Sequence, residues 1–249
     1  MNIALIGYGK MGKMIESVAL ARGHRIVCVI DPFVSKQTFD SPEFRSADVA
    51  IEFSRPDAAE ANVRQAIAQG VAVVSGTTGW DVAALREELA GNCSAEQRRE
   101  LNNSHPGIIW SSNYSVGVNV LFAVNRYLAR LLQQTGGYTP SITEVHHVHK
   151  LDAPSGTAVT LRNEIVESLK FKVERSSQVK SVECPIESIR EGEVPGIHEV
   201  KWESEADILT LKHEAKSRQG FALGAVLASE WLCGKTGWHT MNEVMGIDY

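Results

Sequence analysis

Side chains that can carry charge and bind anions are concentrated in the segment 144–158. Three imidazoles and one ammonium group fall within its residues 146–150, namely His146, His147, His149 and Lys150. Clustered groups of this kind repel one another as they become protonated, which costs folding free energy, and a bound dianion would offset this repulsion. Histidine also titrates near neutral pH, where it can deliver a proton to a substrate. The segment therefore predicts a site for a small polyanion together with acid chemistry.

The second half of this segment predicts an anion-binding helix N-terminus. Ser155 is a preferred N-cap residue, and apolar residues recur with helical spacing from 157 to 169. The N–H groups and the positive dipole end of such a helix attract carboxylates. The residues predicted to form this carboxylate cradle are Ser155, Gly156 and Thr157. A plain turn at Gly156 is the competing interpretation.

A glycine motif lies at the start of the chain. An apolar run at 2–6 is followed by the pattern GxGxxG over residues 7–12 and then by a helical pattern. The next apolar run, 26–30, ends in Asp31, about twenty residues after the last glycine, where an acid can accept a hydrogen bond from a ribose. The order of strand, glycine turn, helix, strand and acid predicts dinucleotide binding; a tight strand-to-helix turn without a ligand is the alternative.

Length and composition narrow the class of protein. The chain has 249 residues, of which 43% are hydrophobic and 22% charged, as in soluble globular proteins of one or two domains. No apolar run is long enough to span a membrane and Met1 leads directly into the first apolar run, so we expect a cytoplasmic protein without a membrane partner. A net charge of −5 argues against a nucleic-acid partner. Four cysteines without CxxC spacing are predicted to be buried reduced thiols: Cys28, Cys93, Cys184 and Cys233.

The order of the apolar runs predicts an α/β protein with two domains. Strands predicted at 2–6, 26–30, 48–53, 71–74 and 108–110 alternate with helices at 57–69 and 81–89, which is typical of a Rossmann-type doubly wound parallel sheet. Strands at 142–147, 179–189, 197–202 and 208–213 predict a C-terminal α+β domain with a mostly antiparallel sheet. The remaining helices are predicted at 116–132, 157–169 and 221–233. We assign residues 1–116 and 218–249 to a dinucleotide-binding domain and 117–217 to a substrate-binding and oligomerisation domain.

Motifs spread over the whole chain are similar to those of one family. They are Gly7 to Gly12, Phe53-Ser54-Arg55-Pro56, Gly76-Thr77-Thr78-Gly79-Trp80, Ser111 to Gly117, Glu144 to Ala158, Val194 to His198, and Ser217-Arg218 followed by Phe221-Ala222. With these motifs the chain resembles the dihydrodipicolinate reductases, also called 4-hydroxy-tetrahydrodipicolinate reductases, of diaminopimelate and lysine biosynthesis. The segment 144–158 is nearly diagnostic by itself.

This resemblance implies an NAD(P)H-dependent oxidoreductase that reduces 4-hydroxy-tetrahydrodipicolinate, a small dicarboxylate, to tetrahydrodipicolinate. In the family, the histidine matching His146 is the proposed general acid and the lysine matching Lys150 holds the substrate. Its carboxylates are bound by the residues matching His147 and the carboxylate cradle. The implied cofactor contacts are Gly7, Tyr8, Gly9, Lys10, Met11, Gly12, Asp31, Phe53, Gly76, Thr77, Thr78, Gly79, Ser112, Asn113, Tyr114 and Arg218, the last equally well explained as a solvated charge. The family forms homotetramers through the sheet of its second domain.

Cofactor choice is predicted from the residues around Asp31. Many relatives have an extra residue in the glycine loop and a longer stretch after the second strand, and those that accept the phosphorylated cofactor often carry a basic residue directly after the acid. Here Pro32 follows Asp31. The carboxylate would accept from a ribose 2′-hydroxyl and repel a 2′-phosphate, so NADH is expected to be preferred over NADPH. Nearby lysines can partly offset that repulsion: Lys10, Lys13 and Lys36.

Three alternatives stay open on the sequence alone. The first is a zinc site, but His146 on a strand points away from His147 and His149, and no set of further ligands completes it, so we expect no metal. The second is another nicotinamide oxidoreductase, such as a homoserine or aspartate dehydrogenase. The third is a cofactor-binding regulatory module without catalysis, which would require a damaged site although His146 and Lys150 are both present.

Overall fold

The computed structural model describes residues 1–90, 105–173 and 183–247. The chain divides into two compact units, one of Met1–Ser115 with Gln219–Tyr249 and the other of Val116–Arg218. In chain order the elements of the described ranges are β1 (Asn2–Ile6), α1 (Lys10–Ala21), β2 (Arg25–Ile30), α2 (Pro42–Arg45), β3 (Val49–Glu52), α3 (Pro56–Ala68), β4 (Ala72–Ser75), α4 (Val82–Ala90), β5 (Ile108–Trp110), α5 (Val116–Thr135), β6 (Thr139–His146), α6 (Gly156–Val173), β7 (Ile186–Arg190), β8 (Ile197–Glu203), β9 (Ile208–Glu214), α7 (Gln219–Leu232), β10 (Trp238–His239) and α8 (Met241–Val244).

The first unit is built on a six-stranded sheet of order β10-β5-β4-β3-β1-β2, in which every pair of neighbouring strands is parallel. Helices α1 and α7 cover one face of the sheet, and α2, α3 and α4 cover the other. Strands β3 and β4 are buried over their whole length, because both faces of the sheet are covered. The predicted doubly wound parallel sheet is confirmed.

The strand order predicts a crevice at the carboxyl ends of the strands of this sheet. Strand β1 lies between β2 and β3, so the chain first crosses to one side of β1 and then to the other. In such sheets the loops after the two strands diverge, and ligands bind at the carboxyl ends of the strands where the order reverses. The loops that follow β1 and β3 are therefore positioned to form a binding site.

The second unit is a four-stranded sheet of order β7-β6-β8-β9 covered on one face by α5 and α6. Only the β6–β7 pair is parallel, so the predicted mostly antiparallel sheet is confirmed. Residues of β6 alternate between the two faces. Ile142, Glu144 and His146 point to the buried face, whereas Ser141, Thr143 and Val145 lie on the open face.

Several predicted details differ from the structure. Cys233 is exposed, because it follows the last buried turn of α7, while Cys28 and Cys184 are buried as predicted and Cys93 lies outside the described residues. Strand β7 begins at Ile186 rather than at 179, and residues 179–182 lie outside the described residues. Elements α2, α8 and β10 were not predicted, since two to four residues are too few to show a hydrophobic period.

Candidate functional site

The glycine turn after β1 has the geometry of a dinucleotide-binding turn. Gly7 has φ of +87° and donates its N–H to the carbonyl oxygen of Ile30 at 2.9 Å. A Cβ atom at Gly7 would lie 2.3 Å from the backbone oxygen of Phe53, and one at Gly12 would lie 2.3 Å from the backbone oxygen of Gly7. A side chain at either position would therefore separate β1 from β3 or α1 from the turn. Open space surrounds the Cβ position of Gly9, the N-cap of α1.

Asp31 is fixed beside this turn. It follows the last residue of β2, and one carboxylate oxygen accepts the Tyr8 N–H at 2.8 Å. The other oxygen accepts the Phe33 N–H at 2.9 Å. The carboxylate therefore organises the glycine turn as well as lying where the sequence predicts a ribose contact.

A cavity of ≈ 400 Å³ opens at the carboxyl end of the first sheet. It is lined by Gly9, Lys10, Met11, Phe53, Ser54, Pro56, Gly76, Thr77 and Thr78. Most of these residues were predicted to contact the cofactor, and Ser54 and Pro56 are additional. Gly76 is needed there, because a Cβ atom would lie 2.2 Å from the Phe53 ring. Gly79, with φ of +85°, turns the chain beyond the cavity.

A buried carboxylate that the sequence did not predict fixes the loops around this cavity. Glu52, the last residue of β3, is fully buried and accepts hydrogen bonds from the hydroxyls of Ser54 at 2.5 Å, Ser75 at 2.6 Å and Thr77 at 2.8 Å. The Thr77 hydroxyl also accepts the Ser54 N–H at 2.9 Å. The carbonyl of Thr77 accepts the indole N–H groups of Trp80 and Trp110. Glu52 thus ties the loop after β3 to the loop after β4.

The remaining predicted cofactor residues are placed differently. Tyr114 is buried in the core of the first unit, where its hydroxyl donates to the Ser75 carbonyl at 2.8 Å, so its side chain does not face the cavity. The amide oxygen of Asn113 accepts the Ser115 N–H at 2.8 Å. Ser112 and Arg218 are exposed.

In the second unit, His146 is joined to a buried carboxylate. Its Nδ1 atom forms a short contact with Glu144, two residues earlier on the same face of β6. Glu144 is fully buried and also accepts from Arg190 Nη2 at 2.9 Å. Burial alone would raise the pKa of the Glu144 carboxyl, but Arg190 and His146 hold it below the usual value. Burial lowers the pKa of His146, although Glu144 opposes that shift.

A second imidazole, on β8, completes this cluster. The rings of His146 and His198 meet edge to face with centroids 5.0 Å apart, and His198 Nε2 lies 3.1 Å from the Ser155 hydroxyl. Burial, with the charge of His146, lowers the pKa of His198 to about 3, so this ring is neutral at physiological pH. The proximity of His198 to Ser155 could not be predicted from the sequence, because 43 residues separate the two.

The helix predicted to begin beside Ser155 is present as α6, and Ser155 makes contacts within the protein. The Ser155 hydroxyl caps α6 by accepting the Ala158 N–H at 3.3 Å, and open space faces the Cβ position of Gly156. The Ser155 N–H, however, donates to Glu144 at 3.3 Å and is therefore engaged within the protein. Gly156 and Thr157 follow as the first two residues of the helix.

The other basic residues of the segment lie at the end of β6. Lys150 is 23% exposed and its ammonium group lies 2.7 Å from Asp152. His147 has a buried Nδ1 atom without a hydrogen-bond partner among the described residues. His149 is exposed and pairs with Glu193 at 3.1 Å. The end of β6 therefore carries a half-buried lysine and a histidine, whereas His149 lies on the surface.

Glu144, His146 and His198 are all of metal-ligating types, and a ligand atom of each lies within 4.8 Å of the others. This set differs from the three histidines considered in the sequence. Glu144 is already bound by Arg190 and by His146 Nδ1, and a guanidinium beside the carboxylate would repel a cation. The charges around these residues therefore fit an internal hydrogen-bond network better than an ion site.

A Rossmann-type unit with a nucleotide-sized cavity and an α+β unit with a histidine beside a helix N-terminus define a two-domain dinucleotide-dependent oxidoreductase. Two family models match the chain: "Dihydrodipicolinate reductase, N-terminus" over residues 1–114 and "Dihydrodipicolinate reductase, C-terminus" over residues 117–245. The 4-hydroxy-tetrahydrodipicolinate reductase of Christiangramia forsetii is 44% identical over 98% of both chains. The corresponding enzyme of Ralstonia nicotianae is 35% identical over 81% of this chain and 75% of its own. The chain therefore belongs to the dihydrodipicolinate reductase family.

Solved structures show the same fold. A dipicolinate-bound dihydrodipicolinate reductase from Paenisporosarcina sp. TG-14 superposes with a TM-score of 0.74 at 21% identity, covering 98% of each chain. Aspartate semialdehyde dehydrogenase II of Vibrio cholerae gives a TM-score of 0.53 at 12% identity over 100% of this chain and 99% of its own. In the described part of the chain, no helix has the length and apolar character needed to cross a bilayer. Family membership supports an enzyme of the lysine and diaminopimelate pathway over a homoserine or aspartate dehydrogenase or a regulatory module.

Proposed function

We propose that this protein reduces 4-hydroxy-tetrahydrodipicolinate to tetrahydrodipicolinate, with His146 as the general acid. The observation that supports this role most directly is the buried contact between His146 Nδ1 and Glu144 beside the N-terminus of α6. A histidine held in this way presents its other ring nitrogen, Nε2, for proton transfer. When bound, the nicotinamide supplies the hydride. The 4-hydroxyl group leaves as water to give the conjugated imine that accepts this hydride, and His146 then supplies the proton that the electron-rich ring must gain on carbon.

The substrate carboxylates are proposed to bind between the basic end of β6 and the start of α6. Lys150 supplies positive charge, and Gly156 and Thr157 supply the positive end of the helix dipole. Neutralising the carboxylates orients the ring and stabilises the negative charge that develops in it. For this to happen Lys150 must exchange Asp152 for the substrate, and the buried Nδ1 of His147 offers a further polar contact.

The cofactor is proposed to bind in the cavity of the first unit. Gly9, Lys10 and Met11 place the N-terminus of α1 against it, which suits a pyrophosphate. Phe53 and the turn beginning at Gly76 form the opposite side. NADH is proposed to be preferred over NADPH, because Asp31 holds a carboxylate at the end of β2 and Pro32 follows it.

Kinetics of two variants test the proposed roles. His146→Gln should lower kcat about 10- to 10,000-fold while leaving the affinity for the cofactor unchanged, because a general acid is lost. Lys150→Ala should instead raise KM for the dicarboxylate strongly, because a charge partner is lost. The matched control is His149→Gln, which removes an exposed imidazole of the same segment and should leave both constants near wild type. Wild-type kcat/KM in either test variant would show that the assigned role is wrong.

The second unit is also proposed to mediate assembly into a homotetramer. Helices α5 and α6 cover one face of its sheet, and the other face carries Thr143, Val145 and Ile189. Of these, Ile189 is 37% exposed. A mixed apolar and polar sheet face of this kind suits an interface between subunits.

A further inference from the structure

We propose that Glu144, held in place by Arg190, is the positioning residue for His146: it keeps the ring with Nδ1 turned to the buried carboxylate and leaves Nε2 to transfer the proton. The inference rests on the proposed role of His146 and adds two residues that act through it. Neither Glu144 nor Arg190 need touch the substrate, since both reach the reaction through the imidazole.

Full burial and complete engagement of the carboxylate support this role. Glu144 is 0% exposed, and its two oxygens contact His146 on its own strand, Arg190 on β7 and the residue that caps α6. One oxygen faces His146 Nδ1, and the other accepts from Arg190 on β7 at 2.9 Å and from the Ser155 N–H at 3.3 Å. A buried carboxylate without such partners would be costly, so its partners must keep these positions. Arg190 is held in turn by the Asp152 carbonyl at 2.6 Å.

The backbone around His146 defines which nitrogen stays accessible. With Nδ1 occupied by a carboxylate acceptor, the neutral ring carries its proton on Nδ1 and leaves Nε2 as the acceptor; the cation donates from both. A Cβ atom at Gly196 would lie 3.1 Å from Nε2, and Gly196 has φ of +151°. The glycine therefore keeps side-chain atoms away from the nitrogen proposed to react.

Charges on every element packed against His146 set its proton affinity. Glu144 on β6 favours the imidazolium, whereas Arg190 on β7 and Lys150 after β6 oppose it. His198 on β8 also faces the ring, with His213 of β9 behind it. Because burial lowers the pKa of His198 to about 3, this neighbour stays neutral through the working pH range. Glu144 is thus the single acidic group acting on His146 among the charged groups that the structure describes around it.

The same carboxylate connects proton transfer to substrate binding. Its contact with the Ser155 N–H fixes the residue that caps α6, directly before Gly156 and Thr157. His198 holds the Ser155 hydroxyl from the other side. Substitution of Glu144 removes the contact with the Ser155 N–H but leaves the contact between His198 and the Ser155 hydroxyl. The start of α6 therefore stays partly fixed, and the substitution should alter kcat more than KM.

The test compares Glu144→Gln with Arg190→Gln. Active enzyme needs the imidazolium, so kcat falls as pH rises through the pKa of His146. Glu144→Gln removes the stabilising charge and should move this alkaline limb down by about 1 pH unit or more, with kcat at neutral pH at least about 10-fold lower. Arg190→Gln removes an opposing charge and should move the limb in the other direction. Glu193→Gln, which breaks the exposed pair with His149, is the matched control and should leave the profile unchanged.

A second readout is independent of catalysis. In protein labelled with ¹⁵N in its histidines, the wild-type signal of His146 should be that of a neutral ring with its proton on Nδ1 above the pKa of the ring, and Glu144→Gln should change the tautomer balance and titration of that resonance. His146→Gln identifies the signal. If both the pH profile and this resonance were unchanged in Glu144→Gln, the positioning role would be refuted. If the resonance responded as expected but His146→Gln kept full activity, the positioning would stand and the proposed acid role would fail.

Discussion

Two buried carboxylates fix the side chains proposed to meet the two ligands. Glu52 accepts three hydroxyl hydrogen bonds beside the cavity of the first unit, and Glu144 is bound by Arg190 and His146 in the second. Each lies at or near the end of a strand, on its buried side. A buried charge is retained only where partners surround it, so both carboxylates restrict their neighbours to one arrangement. At the residue scale, loops that would otherwise be mobile are held in a defined geometry.

Asp31 is predicted to decide between the two forms of the cofactor. Asp31→Ser should erode the preference for NADH, because it removes the acceptor for a ribose hydroxyl and the repulsion of a 2′-phosphate. The wild-type preference should be a few-fold to about 100-fold, since a hydrogen bond to a charged group contributes about 1.5–3 kcal/mol. The ratio of kcat/KM values for NADH and NADPH measures this. Asp40→Ser, at a carboxylate that is 80% exposed, is the control.

Efficient use of NADPH by the wild type would contradict that prediction and would assign the phosphate to nearby lysines. The structure also predicts an effect of Asp31→Ser on the affinity for both cofactors. Because Asp31 also accepts the Tyr8 N–H, the serine variant should bind both cofactors somewhat less tightly than a ribose contact alone would explain. A uniform loss for both cofactors, with no change in their ratio, would mean that Asp31 only supports the glycine turn.

Local and distant contacts differ in how well the sequence predicts them. The places of Gly7 after β1 and Asp31 after β2 were predicted, because they depend on spacing along the chain and on the strands beside them. The bond from Arg190 to Glu144 spans 46 positions, and that from Thr77 to Glu52 spans 25. No periodicity connects such pairs, so only the folded chain reveals them. Tyr114 was assigned to the cofactor from its sequence motif, and a motif does not show that a side chain packs in the core, as that of Tyr114 does.

At the scale of elements, long periodic segments were predicted and short ones were not. The 20-residue α5 and the alternating β6 show clear patterns, whereas the two residues of β10 join the first sheet only through their pairing with β5. In helix α7, close packing against neighbouring elements requires small side chains at the buried positions. Its buried positions carry mostly small residues, so the helix approaches its neighbours closely.

Gly224 in α7 is predicted to be required for this close approach. A Cβ atom there would lie 1.7 Å from the carbonyl oxygen of Tyr114, so Gly224→Ala must displace the helix or the loop. Overpacking of this kind costs about 1–3 kcal/mol, which corresponds to a Tm lower by about 3–10 °C. Gly220→Ala is the control in the same helix, because its Cβ would meet only Ser115 Oγ at 3.9 Å. Equal Tm values for the two variants, by circular dichroism, would contradict the prediction.

At the scale of the whole molecule, the proposed homotetramer depends on the open face of the second sheet. Thr143 lies on this face, paired with Glu187 of β7 on one side and Glu199 of β8 on the other. Thr143→Arg should therefore be tolerated by the single subunit, since two carboxylates flank the new charge, but its bulk should prevent the faces from packing together. Light scattering coupled to size-exclusion chromatography should show a tetramer for the wild type and for Gln65→Arg, an exposed position of the first unit, and a smaller species for Thr143→Arg. A tetramer that survives this substitution would place the interface elsewhere, and a monomeric wild type would exclude assembly.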